Sequence, residues 1–267
     1  MVVPLPPSSQ AIFYGVNNPF LRKGPKGFKE YKTLKNGNMF VRVDLPGITI
    51  KEAVKVSLCE EKKGVMAFVN APKIHKHDSS HRIYSTINSL MCKRCKVVGF
   101  TSQVCDGVLR LVLTPTVFNR RDFCSSRAHE FPNASDPNNP SLTGRVLEEH
   151  PCRVKGSSMA YESKRLQNGS LYVRVDMPGV PKDRFTVSVR DGRVTVTGEA
   201  PAVSHDSGGR FYSGDVALLE TLVTFRRRWI KTIAKNGVIR LIIPNLQFAF
   251  VLILDCTPCQ LILVLHF

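Results

Sequence analysis

Acidic residues are scarce in this chain of 267 residues: 21 Asp and Glu face 38 Lys and Arg, a formal net charge of +17. An excess of that size invites nucleic acid, anionic lipid or acidic protein as partner. The chain has no arginine–glycine–aromatic element and no C2H2 spacing, so nothing beyond bulk charge singles out nucleic acid. A basic, solvated surface accounts for the excess. Also missing are a P-loop, GxSxG, HExxH and GxGxxG, and with them the key residues of the familiar nucleotide-binding, hydrolase and zinc-protease routes. The expectation is a protein that is not an enzyme, with no catalytic residue and no cofactor. The opening "MVVPLPPSSQ" has no basic stretch followed by a long apolar core, so no secretory signal is read there. A cytoplasmic location is expected, with the nucleus as the alternative compartment.

The cysteines and histidines do not assemble a metal site. Among eight cysteines are two CxxC pairs, Cys92/Cys95 and Cys256/Cys259. Paired zinc knuckles stand about 15–20 residues apart, and these are separated by more than half the chain. His75, His77 and His81 cluster in "HKHDSSH", but "SHDSGGR" further on keeps only His205 of them. A solvated loop is expected there.

What is present is a repeat. "FVRVDLPG" (Phe40 to Gly47) returns as "YVRVDMPG" (Tyr172 to Gly179), offset by 132 positions. "NGNMF" before it faces "NGSLY". "HDSSHRIYS" from His77 faces "HDSGGRFYS" from His205, and "DGVLRLVLTP" from Asp106 faces "NGVIRLIIP" from Asn236. Four blocks in one order mean a duplicated unit of about 85 residues, the size of a small domain. At 43% hydrophobic, the chain can fill two packed cores. The expected organisation is a flexible arm rich in Pro and Gly at 1–30, a first module at 31–115, a linker at 116–160, a second module at 161–245 and an apolar tail at 246–267.

Each module reads as strands. Leu171, Val173 and Val175 alternate with Tyr172, Arg174 and Asp176, the pattern of a half-buried strand stopped by Pro178-Gly179. Val187 and Val189 lead into Asp191-Gly192, a two-residue hairpin signal, and Val194 and Val196 lead back. Ile239, Leu241 and Ile243 share one face of a closing strand after Asn236-Gly237. The first module repeats this with Val56 and Leu58, then Val65, Ala67 and Val69. Asp44 and Asp176, each before Pro-Gly, are expected to bond their own turn backbone. Short strands with turn signals and no long amphipathic helix predict an all-β chain of two tandem antiparallel β-sandwiches.

The ordered set "VRVDMPG", "FTVSVRDGRVTVTGEA" and "KNGVIRLIIP" resembles the α-crystallin domain of small heat-shock proteins, in the plant style. Val175, Asp176, Pro178, Gly179, Val194, Val196, Gly198, Glu199, Gly237, Val238, Ile239 and Pro244 carry the likeness. The family usually has arginines on the strand after the long loop, where this chain has Ser213 and Gly214. The resemblance implies an immunoglobulin-like sandwich and an ATP-independent holdase that binds unfolding clients in the stress response. It implies homo- or hetero-oligomers with related small heat-shock proteins. It also implies a client or partner groove, assigned to Val194, Val196 and Ile230, and a tail anchor at Val251 and Ile253. The alternative is an interaction scaffold on the same sandwich without chaperone activity. In a minority reading, residues 246–267, "LQFAFVLILDCTPCQLILVLHF", anchor the chain in a membrane: they reach the length of a span but contain Asp255 and Pro258.

Overall fold

The computed structural model describes residues 1–5, 18–25, 27–48, 54–90, 95–116, 150, 152–157, 159–219 and 225–245. In chain order the strands are β1 (Val2–Pro4), β2 (Leu21–Lys23), β3 (Lys29–Thr33), β4 (Met39–Asp44), β5 (Lys55–Leu58), β6 (Gly64–Ala71), β7 (Arg82–Ser89), β8 (Val97–Cys105) and β9 (Val108–Pro115), then β10 (Arg153–Lys155), β11 (Tyr161–Arg165), β12 (Leu171–Asp176), β13 (Phe185–Arg190), β14 (Arg193–Ala200), β15 (Arg210–Leu219), β16 (Lys231–Lys235) and β17 (Val238–Ile243). A 3-10 turn, Arg227–Trp229, precedes β16. Among the described residues no helix is long and apolar enough to cross a membrane.

Four antiparallel sheets make two sandwiches. The first stacks β3-β4-β9-β8 on β10-β7-β6-β5, and the second stacks β11-β12-β17-β16 on a sheet in which β1 and β2 both pair with β15, followed by β14 and β13. Each encloses its own core: Val41, Val43, Leu109 and Leu111 meet Val65, Ala67, Val69 and Tyr84 in one, and Val173, Val175, Ile239 and Leu241 meet Val194, Val196 and Tyr212 in the other. Period-2 patterning produces this directly, since one face of every strand carries the branched residues. The hairpin signals close as read: Asp191 and Gly192 have φ of 48° and 73°, and Asn236 and Gly237 have 55° and 66°. Both positive values suit a turn whose twist matches that of the strands.

Two strands cross from one sandwich to the other. β2 precedes β3 of the first sandwich but pairs with β15 of the second, whereas β10 precedes β11 of the second but pairs with β7 of the first. Phe20, fully buried, belongs to the second core, and Cys152 belongs to the first. The segments expected as arm and linker therefore supply, where described, edge strands to the opposite sandwich. The rest of the linker, including 131–144, and the tail at 246–267 lie outside the described residues.

A second difference concerns β12, read as a half-buried strand, and its counterpart β4. Every residue of both is buried. Their polar faces, Arg42 with Asp44 and Arg174 with Asp176, are as enclosed as their apolar ones, because the other sandwich covers them.

Candidate functional site: the junction between the sandwiches

The residues that repeat in the sequence meet each other here. Arg82, the first residue of β7, reaches across the junction to the Asp176 carboxylate at 2.6 Å. Arg210, the first residue of β15, makes the reciprocal bond to Asp44. Each also donates to a backbone carbonyl, Met159 for Arg82 and Gly27 for Arg210. Asp44 and Asp176 thus bind well beyond their own turns. Residues adjacent in sequence do not signal this, because each partner arginine belongs to the other module. The usable signal is the arginine repeated in "HRIYS" and "GRFYS", which opens β7 and β15.

The loops expected to be solvated are the second element. Asp78 of "HKHDSSH" is buried and takes two bonds from Arg240 of β17, at 2.8 and 3.0 Å, and one from the Tyr172 hydroxyl. Its counterpart Asp206 takes 2.8 and 2.7 Å bonds from Arg110 of β9. Such forked pairing orients both groups as well as holding them. Burial alone would raise these carboxyls. Together the arginine hydrogen bonds and charges, the backbone N–H bonds and, at Asp78, the Tyr172 hydroxyl outweigh it and leave both Asp78 and Asp206 below the ordinary carboxylate range. His75, partly buried, stacks on Tyr172 at 5.6 Å with an interplanar angle of 10°. Among the described residues no group of three His, Cys, Asp or Glu could hold a metal ion.

The turns interlock as well. Gly47 N donates to Asn236 O at 2.9 Å, and Gly179 N donates to Asp106 O at 2.7 Å, so each Pro-Gly turn is bonded to the hairpin of the other sandwich. A Cβ on Gly107 would lie 2.5 Å from Asn236 O. Glycine is required there twice over, for a φ of 74° and for the close approach. Glu30 closes one rim on Ser207 and Glu162 the other on Ser79. Each half of the junction holds three arginines and three acids, Arg42, Arg110 and Arg210 with Glu30, Asp44 and Asp206, and Arg82, Arg174 and Arg240 with Asp78, Glu162 and Asp176. These twelve charges balance, Lys32 and Lys164 add a cation at each rim, and most of the excess of +17 lies elsewhere.

The crossing strands arrive through two matched anchors. Asn18 Nδ2 donates to Asp176 O at 2.7 Å, while its Oδ1 accepts from Phe20 N. Opposite, His150 Nε2 lies 2.6 Å from Asp44 O and its Nδ1 accepts from Cys152 N. Accepting at Nδ1 makes Nε2 the protonated nitrogen of a neutral ring. Burial pushes this imidazole down to about 4. "NPFLRKG" from Asn18 and "HPCRVKG" from His150 keep the same offset of 132 as the strands. The duplication therefore extends further upstream than the four blocks indicate.

The residues assigned to a client groove come together but are not open. Val194, Val196 and Ile230 all sit in the second core, at most 3% exposed. Val251 and Ile253 lie outside the described residues. Exposed apolar side chains occur on both sandwiches, Ile233 of β16 on the second among them, but on the first a group of them shares one sheet face. Met66 and Phe68 of β6 and Ile87 of β7 point outward at 41, 44 and 58% exposure, with Met66 directly opposite Ile87. At the matching positions of the second sandwich stand Thr195, Thr197 and Asp215, and Thr195 Oγ1 donates to Asp215 at 2.6 Å.

Comparison with known proteins adds the following. A family model described as "Predicted plant small heat shock protein" matches residues 2–246. The "Putative 57 kDa heat shock protein" of Arabidopsis thaliana is 33% identical over 288 residues, which cover 75% of this chain and 54% of that one. The mitochondrial heat shock 22 kDa proteins of Pisum sativum and Glycine max are 28% and 24% identical. The alignments cover 38% and 49% of this chain and 50% and 59% of theirs. The chain spans about half the length of the curated relatives it matches. Heat shock protein 16.0 from Schizosaccharomyces pombe matches 46% of this chain and 91% of that one, at 17% identity and a TM-score of 0.25. The sandwich assignment rests on the strand pairing above.

Proposed function

We propose an ATP-independent holdase for unfolding proteins, from a plain premise: the chain belongs to the plant small heat shock protein family. The observation that carries the proposal is the outward apolar face of Met66, Phe68 and Ile87. A holdase needs no reacting group; it needs apolar surface that a partly unfolded client can cover. One sandwich offers such a face while the other carries Thr195, Thr197 and Asp215 at the same places. That contrast supports a division of labour in which the first sandwich binds and the second stays soluble. We place this work in the cytoplasm, alone or in oligomers with related small heat-shock proteins.

The test is light scattering by a heat-labile enzyme such as citrate synthase, with the full chain added. Suppression at a few-fold molar excess is expected. The triple substitution Met66→Thr, Phe68→Thr, Ile87→Asp should abolish most of it while leaving the fold intact by circular dichroism. No suppression by the unaltered chain at several-fold excess would sink the proposal and leave the scaffold reading in its place.

A further inference from the structure

The two sandwiches differ at one edge. In the second, β1 lies antiparallel along the end of β15, pairing Val2 with Leu219, Val3 with Leu218 and Pro4 with Ala217, and Leu5 N donates to Val216 O at 3.1 Å. Val2 is buried in the core beside Leu219. In the first sandwich β10 pairs with β7 only at Ile83 and Tyr84, with one more bond from Ser85 N to Cys152 O. Beyond that point no strand among the described residues lies against β7. Main-chain groups alternate sides along an antiparallel strand, so those of Ile87 and Ser89 face the same open side as Ser85.

Beside this edge stands an uncommitted polar group. Asn88, the residue of β7 that matches Ala217, is fully buried. Its Oδ1 accepts from Tyr31 and Thr86, but its Nδ2 has no partner among the described residues. An orphaned buried amide keeps its desolvation penalty until it is satisfied, so a ligand that satisfies it gains specificity. In the second sandwich the inward side chain over Ala217 is Pro4, and the one two residues before it, over Leu219, is Val2.

We propose that the end of β7 is a strand-addition site for an extended peptide that enters antiparallel, as β1 does on β15. The peptide places an apolar side chain over Leu90 and, two residues on, a carboxamide (Gln or Asn) over Asn88. Its main chain bonds Ile87 and Ser89, and its carboxamide oxygen accepts from Asn88 Nδ2. An exposed edge is a general template for such pairing, and the side-chain pattern supplies the selectivity. The proposal does not rest on holdase activity: peptide docking and client protection are read separately.

The probe is the blocked pentapeptide TVTQT, bound to the full-length chain and followed by fluorescence anisotropy and by amide exchange resolved at β7. Slowed exchange at Ile87 and Ser89 is expected, with at least tenfold weaker binding for TVTVT. Asn88→Leu should reverse that preference. Ser89→Pro removes one edge N–H without touching the β6 ladder and should weaken TVTQT at least tenfold. If that variant fails to fold, TVTQT methylated on its alternate backbone nitrogens makes the same test on the unaltered chain, and it should not bind. Unchanged exchange at β7 with peptide saturating, or equal binding of the methylated peptide, overturns the proposal.

Discussion

Turned toward each other, the two sandwiches are nearly interchangeable; turned outward, they are not. At the junction Arg82 answers Arg210, Asp176 answers Asp44, and the Arg240–Asp78 fork answers Arg110–Asp206. On the outer sheets Met66 and Ile87 stand where Thr195 and Asp215 stand in the copy. A duplicated chain keeps what must fit its own copy, since each junction residue is constrained by a partner in the other half. The outer face has no such partner and can diverge into an apolar and a polar version. The lesson is physical: buried arginine–carboxylate pairs tolerate no one-sided change, because removing one member strands the other's charge out of water.

The most severe way to break the likeness is therefore to remove one arginine. Arg210→Ala and Arg82→Ala should each cost about 3–5 kcal/mol in denaturant unfolding, by leaving Asp44 or Asp176 buried with one arginine, Arg42 at 3.4 Å or Arg174 at 3.0 Å, in place of two. Similar losses in the two variants would confirm matched halves. A loss under about 1 kcal/mol in either would show that the carboxylate is hydrated there.

Next comes a deliberate inequality. Phe20, fully enclosed in the second core, should cost about 3–5 kcal/mol as Phe20→Ala. Its counterpart Cys152 is far smaller, and Cys152→Ala should cost only about 1 kcal/mol. Thermal melts of the two variants side by side read the difference. Equal losses would mean that the crossing segments do not pack as described.

The anchors differ in their response to acid. His150 has a folded pKa of about 4 against an ordinary value near 6.5, so its neutral form favours folding. That stability is fully present above about pH 6.5 and is lost as pH falls toward 4, at about 1.4 kcal/mol per unit and about 3 kcal/mol in all. Asn18 does the same work with a carboxamide that cannot titrate. His150→Asn should thus flatten unfolding stability between pH 6.5 and 4. A persisting slope of full size would assign it to another group. Below that window Asp78 and Asp206, held low by their arginines, surrender their contribution as they protonate.

Much of this was legible beforehand. Alternation in "LYVRVD" and the Asp-Gly and Asn-Gly signals predict strands and hairpins, because those depend on neighbours in sequence. The partners of Asp44 and Asp176 were not legible, because the bonds span 166 and 94 positions and depend on which face the other copy covers. The polar half of each alternating strand read as solvent-facing, which is right for one sandwich alone and wrong for two placed face to face. The crossing of β2 and β10 was hidden for a related reason. Their repeat is short and conserved mainly in Pro, Lys and Gly, and a three-residue strand carries no periodicity.

The central claim is that each sandwich is completed by a strand and a set of charges from the other half, so the halves form one folded unit. The direct measurement is to insert a specific protease site within 131–144, cut the purified full chain, and pass it through gel filtration with light scattering in non-denaturing buffer. The account predicts that the two fragments travel together at the mass of the intact chain, and that Arg82→Ala combined with Arg210→Ala loosens them. Fragments that separate and each retain a cooperative thermal transition would contradict it.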